Sequence, residues 1–453
     1  MDYQHKNIFF KLTPHYIAHY FIFRITRLAL SLGIKFKSPL LIAVSLRYSL
    51  YRAPSILVNK KSKNKLIILH KMGGFEDIEQ TYIKNNADFD ILFLRRESLK
   101  LISRLFFPSN VGDLNYLFVT NKNERESYTK FLIKIFSYLN KMIKIKAILQ
   151  FNIVYYAERE LDKVCKSIDV KFITLQKEGV RPDISWKKTV EVYRKQLDIY
   201  CGHKVLTYND DTRKCLIDSG NFDQDSIIEI GMPRLDYAHK YRSKKDSQNN
   251  RGITYFLIDR VAGLSNHVDE YGNITTMRYV DKDGQVLYWD ELIRTVNNAI
   301  LDFACNHKDL NFFFKGKGKY VAYKDQFNNN FPANVKIVEG ATGHKLLNKS
   351  SVIISFNSTI IFEALAAGIP VIVPMIFSSE PVEMRKHVLD LNKAVYYAHS
   401  VEELEDLIIK LHTSKPSAFL SSESIQVLNR YMGNSDGKSS KRLRHFLNRL
   451  MIE

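Results

Sequence analysis

The chain has 453 residues, and its 67 Lys and Arg outnumber its 48 Asp and Glu, which gives a formal net charge of +19. Its 45% hydrophobic and 25% charged content is ordinary for globular proteins and excludes wholesale disorder. The 4 cysteines form no C-x-x-C pair, so neither a disulfide scaffold nor a cysteine zinc site is expected, and a reducing cytoplasm fits best. The length suggests two or three domains of about 150 residues, and the charge favours nucleic acid or an anionic membrane surface as a partner.

Residues 1–60 form a basic, aromatic N-terminal segment, whose first 52 residues contain eight Lys or Arg, one acid and ten aromatic residues. Basic residues interrupt its apolar stretch and no small-residue cleavage site follows it, so neither a spanning helix nor a signal peptide is expected. The pattern predicts either a basic helix packed on the domain or an interfacial membrane helix with basic residues at its polar boundary. Those boundary residues are Arg24, Arg27, Lys35 and Lys37.

From residue 61 to 240, short apolar runs alternate with amphipathic segments. Runs such as 65–70 and 90–94 predict buried strands, and segments such as 124–146 predict helices. The run from 114 to 120 predicts a further strand. Buried strands that alternate with helices indicate a parallel sheet with crossover connections.

A polar, aperiodic segment at 240–252 is interpreted as an interdomain linker, after which the alternation of strand and helix restarts. Residues 262–288 are polar and predict a long loop or a small hairpin. The predicted fold is therefore α/β, with two Rossmann-like parallel-sheet domains facing a cleft, at 61–240 and 251–411, and with C-terminal helices at 412–453. Open sheets of this kind bind ligands at the carboxyl ends of their strands.

The segment that follows the strand ending at Ser355 carries the most informative pattern. Asn357, Ser358 and Thr359 are small polar residues of the kind that open a helix, and the free amides of a helix start suit a phosphate. Glu363 lies one turn further along, roughly on the same face, where its carboxylate can accept hydrogen bonds from sugar or ribose hydroxyls. An ordinary βαβ unit with a capped helix explains the same spacing without a ligand.

This segment, S-x-N-S-T-x-x-x-E-A-x-x-x-G-x-P-V-I, resembles the donor-site signature of two-domain GT-B glycosyltransferases. It is most similar to bacterial capsule and surface-carbohydrate biosynthesis proteins and, more distantly, to the glycerophosphotransferases of teichoic acid synthesis. The detailed match covers about residues 310–375, and a looser one spans about 150–440. The resemblance implies that the strand-to-helix turn holds the nucleotide phosphates and that the Glu holds a hydroxyl. The residues implicated are Ser355, Asn357, Ser358, Thr359 and Glu363.

Two loops upstream supply further candidates for donor binding. Lys315 and Lys317 lie in a Lys-Gly-Lys-Gly-Lys run that suits an anion at a strand end, or is a solvated turn, and that resembles the Lys-containing loop of GT-B enzymes. Gly340 permits close approach of the backbone to a ligand, and His344 is a candidate contact to a phosphate or base, although a lone His is more often structural.

Two carboxylates follow strands of the first domain and are candidates for the base that takes the proton of an acceptor hydroxyl. Glu178 is the first choice, because its Lys-Glu-Gly setting resembles a recurring element of the surface-carbohydrate proteins. Asp210, or its neighbour Asp211, is the rival, and both are equally interpreted as helix N-caps. A surface Lys-Glu turn explains the Glu178 pattern without catalysis.

Three more segments complete the set of candidates. The loop 70–74 after the first strand is a candidate for the acceptor side. Gly-Met-Pro-Arg-Leu-Asp resembles an element at the domain boundary of these enzymes, which implies that Arg234 faces the donor phosphate and that Asp236 braces it. The segment 433–438 is interpreted as the turn into a last helix, which the resemblance implies crosses back to the N-terminal domain.

These patterns together predict a GT-B glycosyltransferase that moves a sugar from a nucleotide-activated donor to a surface polysaccharide acceptor. The acceptor is expected to be a glycan, either free or linked to a lipid. We expect it to be cytoplasmic and peripheral on the inner, anionic face of the plasma membrane. No cofactor, no metal and no nucleic-acid partner is predicted, since no Asp-x-Asp, helix-turn-helix, zinc-finger, RNP or KH pattern is present. The alternatives are a CDP-polyol phosphotransferase of teichoic-acid type and a non-enzymatic basic protein that binds nucleic acid or membrane.

Overall fold

The computed structural model describes residues 14–71, 74–83, 85–113, 115–242, 251–258, 289–316, 331–338, 343–376, 388–414, 417 and 419–453, and four short strands between 266 and 287. Two six-stranded sheets form its framework, and every pair of neighbouring strands in them is parallel. The predicted α/β class with two Rossmann-like parallel sheets is therefore confirmed.

The strands of the first sheet are β1 (Lys65–His70), β2 (Asp90–Arg95), β3 (Ile145–Gln150), β4 (Lys171–Gln176), β5 (Lys204–Thr207) and β6 (Ile227–Glu229). They lie in the order β2-β1-β3-β4-β5-β6. The chain adds β2 on one side of β1 and then returns to the other side with β3. The sheet therefore has a switch point between β1 and β3, the place where open α/β sheets bind ligands. We call it the first switch point.

Ten helices are described before the second sheet. They are α1 (Pro14–Lys35), α2 (Pro39–Ser49), α3 (Gly74–Tyr82), α4 (Arg96–Ser103), α5 (Tyr116–Val119), α6 (Lys122–Ile143), α7 (Leu161–Ser167), α8 (Ile184–Gln196), α9 (Asp210–Asp218) and α10 (Leu235–Arg242). None of the helices in the described ranges is long and apolar enough to cross a bilayer.

The strand predicted from 114 to 120 is wrong, because the described part of this run is the short helix α5. A brief apolar run carries no period that separates a strand from a buried helical turn. Tyr116 is buried, and its hydroxyl donates to Glu160 Oε1 at 2.9 Å, which fixes the turn on α7 rather than on the sheet. Thr120 Oγ1 donates back to the Tyr116 carbonyl at 2.6 Å and closes the helix.

The second sheet is formed by β7 (Gly252–Phe256), β12 (Phe312–Lys315), β13 (Val335–Ile337), β14 (Ser350–Ile354), β15 (Val371–Pro374) and β16 (Tyr396–Ala398). Two antiparallel pairs, β8 (Asn266–Val268) with β9 (Ile274–Thr276) and β10 (Tyr279–Val280) with β11 (Val286–Leu287), lie in the segment predicted as a loop or hairpin. The sheet order is β13-β12-β7-β14-β15-β16, so its switch point lies between β7 and β14. We call it the second switch point.

Within the described residues, five helices accompany the second sheet and the C-terminus: α11 (Trp289–Asn306), α12 (Ile360–Ala367), α13 (Val401–His412), α14 (Ser422–Met432) and α15 (Ser439–Ile452). The last of them lies on the first half of the molecule. Asn64 Nδ2 donates to the Met451 carbonyl at 2.7 Å, and Tyr82 donates its hydroxyl to Asn448 Oδ1 at 3.3 Å. The C-terminal helices therefore tie the two halves together around the cleft.

The turn between α14 and α15 depends on glycine. Gly433 closes α14 with a φ of +56°, and a Cβ there would collide with the carbonyl oxygen of Tyr208. Asn434 extends from this turn into the first half, where its Nδ2 donates to the Met232 carbonyl at 2.8 Å. The segment interpreted from sequence as a turn is thus also a buried contact between the halves.

Candidate functional site

The strand-to-helix turn after β14 lies at the second switch point and leaves polar atoms buried there. Ser355 is 1% exposed, and its Oγ makes no hydrogen bond within the described part of the chain. Asn357 adopts a left-handed φ of 43°, and its Oδ1 accepts from the Leu389 amide at 3.0 Å, so its side chain holds the turn in place. Thr359 is the N-cap of α12 without a side-chain cap bond, and Ser358 beside it is half-buried.

Glu363 projects from the first turn of α12 into the same region. Its Oε2 is buried and has no hydrogen-bond partner among the described residues. Burial raises the pKa of Glu363 to about 7, although Arg234 opposes the shift. An unpaired buried carboxylate is costly, and a group that costs stability and lies in a cleft is typical of a ligand site.

Arg234 approaches Glu363 from the first half of the molecule, just before α10. Its Nη1 lies 3.4 Å from Asp77 Oδ2, and its backbone amide donates to Asp77 Oδ1 at 3.0 Å. Tyr208 donates its hydroxyl to the same carboxylate. Burial alone would lower the pKa of Arg234, but Asp77, Tyr208 and Glu363 together raise it. The guanidinium is therefore a permanent charge between the two switch points.

Sequence reasoning missed Asp77, which braces Arg234. The carboxylate is fully buried on α3, and burial raises its pKa while Arg234 opposes the shift. The only signal was its place, three residues after Gly74, in the acidic first turn of a helix that follows a strand. The residue proposed as the brace, Asp236, instead accepts from the Ser439 and Ser440 amides at 3.1 and 2.8 Å and caps α15.

His344 and Lys315 lie at the rim of the same cleft. The His344 ring packs edge-on against Tyr237 of α10, with the ring centroids 4.9 Å apart, and burial, with Lys345 adding to it, lowers the pKa of His344. Lys315 ends β12, and its Nζ donates to the Gly316 carbonyl at 2.6 Å. Lys317 and Gly340 lie outside the described residues.

The two candidates for the base differ in their surroundings. Glu178 is exposed directly after β4, and its Oε1 lies 3.3 Å from Lys177 Nζ. Asp210 lies in the first turn of α9, where its Oδ2 is 2.6 Å from Lys214 Nζ of the same helix. The N-cap of α9 is neither Asp210 nor Asp211 but Asn209, whose Oδ1 accepts from the Thr212 amide at 2.9 Å.

The described side chains contain no group of three or more His, Cys, Asp or Glu that is arranged to hold a metal ion. The polar groups offered to the cleft are an arginine, a lysine and hydroxyl or carboxyl oxygens. Such a set can neutralise phosphate charge and accept bonds from hydroxyls.

No protein-family model matches the chain, and no curated protein matches it. Among solved structures, it is similar to the UDP-GlcNAc 2-epimerase of Methanocaldococcus jannaschii in complex with UDP-GlcNAc and UDP, with a TM-score of 0.46 and 12% identity over 85% of this chain and 99% of that chain. A variant of the wall teichoic acid polymerase TagF gives a TM-score of 0.46 and 10% identity over 95% of this chain and 98% of that chain. Anabaena HepE in complex with UDP-glucose gives 0.39 and 11%, over 86% and 98%. Likeness at this level concerns the fold alone.

Proposed function

We propose that the chain is a glycosyltransferase that binds a nucleotide-activated sugar at the second switch point and transfers the sugar to a surface glycan. The observation that carries the proposal is the pair of buried, unpaired oxygens, Ser355 Oγ and Glu363 Oε2, at this switch point. Unpaired buried polar atoms cost free energy that a hydrogen-bonding ligand would recover. Arg234 interacts electrostatically with Glu363 and supplies a permanent positive charge for a phosphate.

In this proposal Glu178 acts as general base. The acceptor hydroxyl loses its proton to Glu178 as its oxygen bonds to the anomeric carbon. The bond between that carbon and the phosphate oxygen breaks, and the electron pair stays with the nucleotide. Arg234, Lys315 and the N-terminus of α12 offset the charge that develops on the leaving phosphate.

We propose that this charge compensation needs no metal, because the protein supplies the cations itself. Transfer should then proceed at an unchanged rate in excess EDTA. A rate that collapses in EDTA and returns with Mg²⁺ or Mn²⁺ would contradict this part of the proposal.

The donor is tested by thermal unfolding with UDP, GDP and CMP in turn. A ligand at ~100 times its Kd stabilises the folded state by about 2.7 kcal/mol. Stabilisation by UDP or GDP that is lost in Glu363→Gln supports the proposal, with Glu402→Gln on the exposed face of α13 as matched control. Stabilisation by CMP alone indicates the polyol-phosphate transferase instead, and no response to any nucleotide overturns both.

We further propose that the enzyme docks on an anionic bilayer through α1. Ile25, Leu28 and Leu32 form a stripe along this helix that Phe36 continues just after its end, and Ile25 and Phe36 are 66% and 69% exposed. The sequence from residue 3 to 75 contains no acidic residue, so the charged side chains that this part of the chain contributes are basic, apart from the neutral histidines. An apolar stripe with basic flanks suits the headgroup region of anionic lipids.

Sedimentation with phosphatidylglycerol vesicles tests this surface. Ile25→Ser/Phe36→Ser should abolish binding, whereas Ile409→Ser, which changes an exposed side chain on α13, should not. Equal binding to neutral phosphatidylcholine vesicles, or unchanged binding of the double variant, would contradict the docking surface.

A further inference from the structure

We propose that the first switch point holds a second anion site, which binds a phosphate group carried by the acceptor. This inference rests on the proposed function only where it assigns the bound phosphate to the acceptor. The site is built from residues that the donor site does not use. Its cationic members, here called the basic row, are Lys71, Arg96, Lys100 and Lys177.

The order of the strands brings the basic row together. Arg96 directly follows β2, Lys71 follows β1, and Lys177 follows β4, while the loop after β3 supplies Tyr155. Because the sheet order is β2-β1-β3-β4, these residues succeed one another along a single carboxyl edge. Lys100 lies one helical turn beyond Arg96 and so continues the basic row along α4.

Tyr155 is the centre of the row. The Arg96 guanidinium lies over its ring at 3.5 Å from the centroid, and the Lys71 ammonium lies 5.7 Å from the same centroid. The Lys100 ammonium lies 5.7 Å from the neighbouring Tyr156 ring. Stacking on an aromatic face fixes a cation in direction without neutralising it.

The cations of the basic row lie close enough to repel one another, although Asp113 opposes this effect at Lys71. Burial lowers the pKa of Lys71, and Lys177, Arg96 and Lys100 each lower it further, in that order. Arg96 is 4% exposed and bonds to Glu158 through Nε, but its Nη2 makes no hydrogen bond in the described structure and lies 3.9 Å from Asp113 Oδ1. An anion placed among these groups would relieve the repulsion and accept a hydrogen bond from Arg96 Nη2.

A phosphate suits this arrangement better than a neutral sugar does. Lysine ammonium groups act as point charges for phosphate oxygens, and hydrogen bonds between ions are about twice as strong as those between neutral groups. Glu178 pairs with Lys177 and also raises the pKa of Tyr155, after the larger effect of burial, so its charge acts on the same part of the site. An acceptor anchored by its phosphate would thus present a nearby hydroxyl to Glu178.

Calorimetric titration of the full chain with inorganic pyrophosphate tests the site. We expect two pyrophosphate sites, one displaced by the nucleotide that stabilises the protein and one indifferent to it. Lys71→Gln/Lys177→Gln should weaken the indifferent site by about tenfold or more, because each lost ionic hydrogen bond contributes strongly. Lys122→Gln, which removes a highly exposed lysine of α6, is the matched control and should leave both sites unchanged.

An indifferent site that binds equally in the double variant would overturn the proposal. Should the double variant not fold, Lys100→Gln provides the same test, with a weakening of about threefold expected. If no nucleotide displaces pyrophosphate, the proposed function fails, while a loss of binding in the double variant still supports the basic row. The two failures are therefore separable.

Farnesyl diphosphate in detergent micelles identifies the source of the phosphate. Binding about tenfold tighter than that of pyrophosphate, and sensitive to the double variant, assigns a lipid-linked acceptor. Equal binding of the two probes, with the same sensitivity, assigns a water-soluble phosphorylated glycan. Binding of either probe that is unchanged in the double variant contradicts the proposed site.

Discussion

The two switch points of the molecule differ in the kind of group that each offers to a ligand. At the first switch point, Arg96 and Lys177 have carboxylate partners, and the remaining positive charge is held against aromatic rings. At the second, Ser355 and Glu363 keep buried oxygens without partners. The first has more cations than it can neutralise, and the second has acceptors that nothing in the described structure satisfies.

This difference indicates two ligands with different recognition chemistry. A surplus of positive charge recognises charge, which fits an anionic group and tolerates variation in the rest of the molecule. Buried acceptors recognise hydroxyl positions and reject a ligand that lacks them, because the penalty of the unpaired atoms then remains. Arg234 lies between the two switch points. Its charge interacts with Asp77 on the side of the first switch point and with Glu363 on the side of the second.

The largest loss of stability is expected when the ion pair that joins the two switch points is broken. Arg234→Ala removes the cation that faces fully buried Asp77, and breaking a buried pair from one side costs about 3–5 kcal/mol. Urea unfolding measures the loss. Adding Asp77→Asn should restore most of it, because the uncompensated charge disappears.

Arg213→Ala is the control, since its pair with Asp210 is 3.7 Å long and partly exposed, and solvent-exposed pairs contribute about 0–1 kcal/mol. A cost below about 1 kcal/mol for Arg234→Ala would mean that the two switch points are not joined by this pair.

A smaller, pH-dependent effect is expected at the second switch point. The pKa of Glu363 is raised to about 7 from an ordinary value near 4.5, so unfolding releases protons between these limits and stability is lost as pH rises through them. Glu363→Gln resembles the protonated form and escapes this loss. It should match wild type near pH 4 and exceed it by about 1–3 kcal/mol at pH 8.

The difference between the two unfolding free energies, measured from pH 4 to 8, isolates Glu363 from the other titrating groups. A difference that does not change with pH would show that the carboxylate is already satisfied. The second switch point would then offer no unpaired carboxylate to a ligand.

The sequence was sufficient for the fold where local patterns decide structure. Buried strands such as β1 and β14 contain continuous apolar runs, and Ser400 is an N-cap of a residue type that a sequence reveals, since its Oγ accepts from the Glu403 amide at 3.1 Å. The run containing α5 was misassigned because its length and composition suit either element, and only the long-range bond from Tyr116 to Glu160 decides it.

Partners across the cleft were beyond sequence reasoning for a related reason. Arg234 and Asp77 are 157 positions apart, and nothing local to either residue indicates the other. The resemblance of the Gly-Met-Pro-Arg-Leu-Asp element assigned Asp236 to Arg234, but α10 turns the Asp236 carboxylate toward α15. The chemistry of single residues can be read from a sequence, whereas the pairing of buried charges follows from the topology.

A moderate effect is expected at the link between the first sheet and α14. Asn209 caps α9, and its Nδ2 also donates to the Gly179 carbonyl at 3.1 Å and to the Tyr431 carbonyl at 2.6 Å. Asn209→Ala should cost about 2 kcal/mol, against about 1 kcal/mol for Ser400→Ala, which removes a cap alone. Equal costs in urea unfolding would show that the two extra bonds contribute nothing to holding the 178–180 loop.

The smallest effect is expected for the rival base. Asp210 is half-exposed and pairs with Arg213 and Lys214 of its own helix, so Asp210→Asn should cost less than about 0.5 kcal/mol. The transfer rate should stay within about twofold, whereas Glu178→Gln should lower kcat by about 100-fold or more without loss of donor binding. The reverse result would move the base to α9, away from the basic row. The phosphate held at the first switch point would then lose its connection to the reacting hydroxyl.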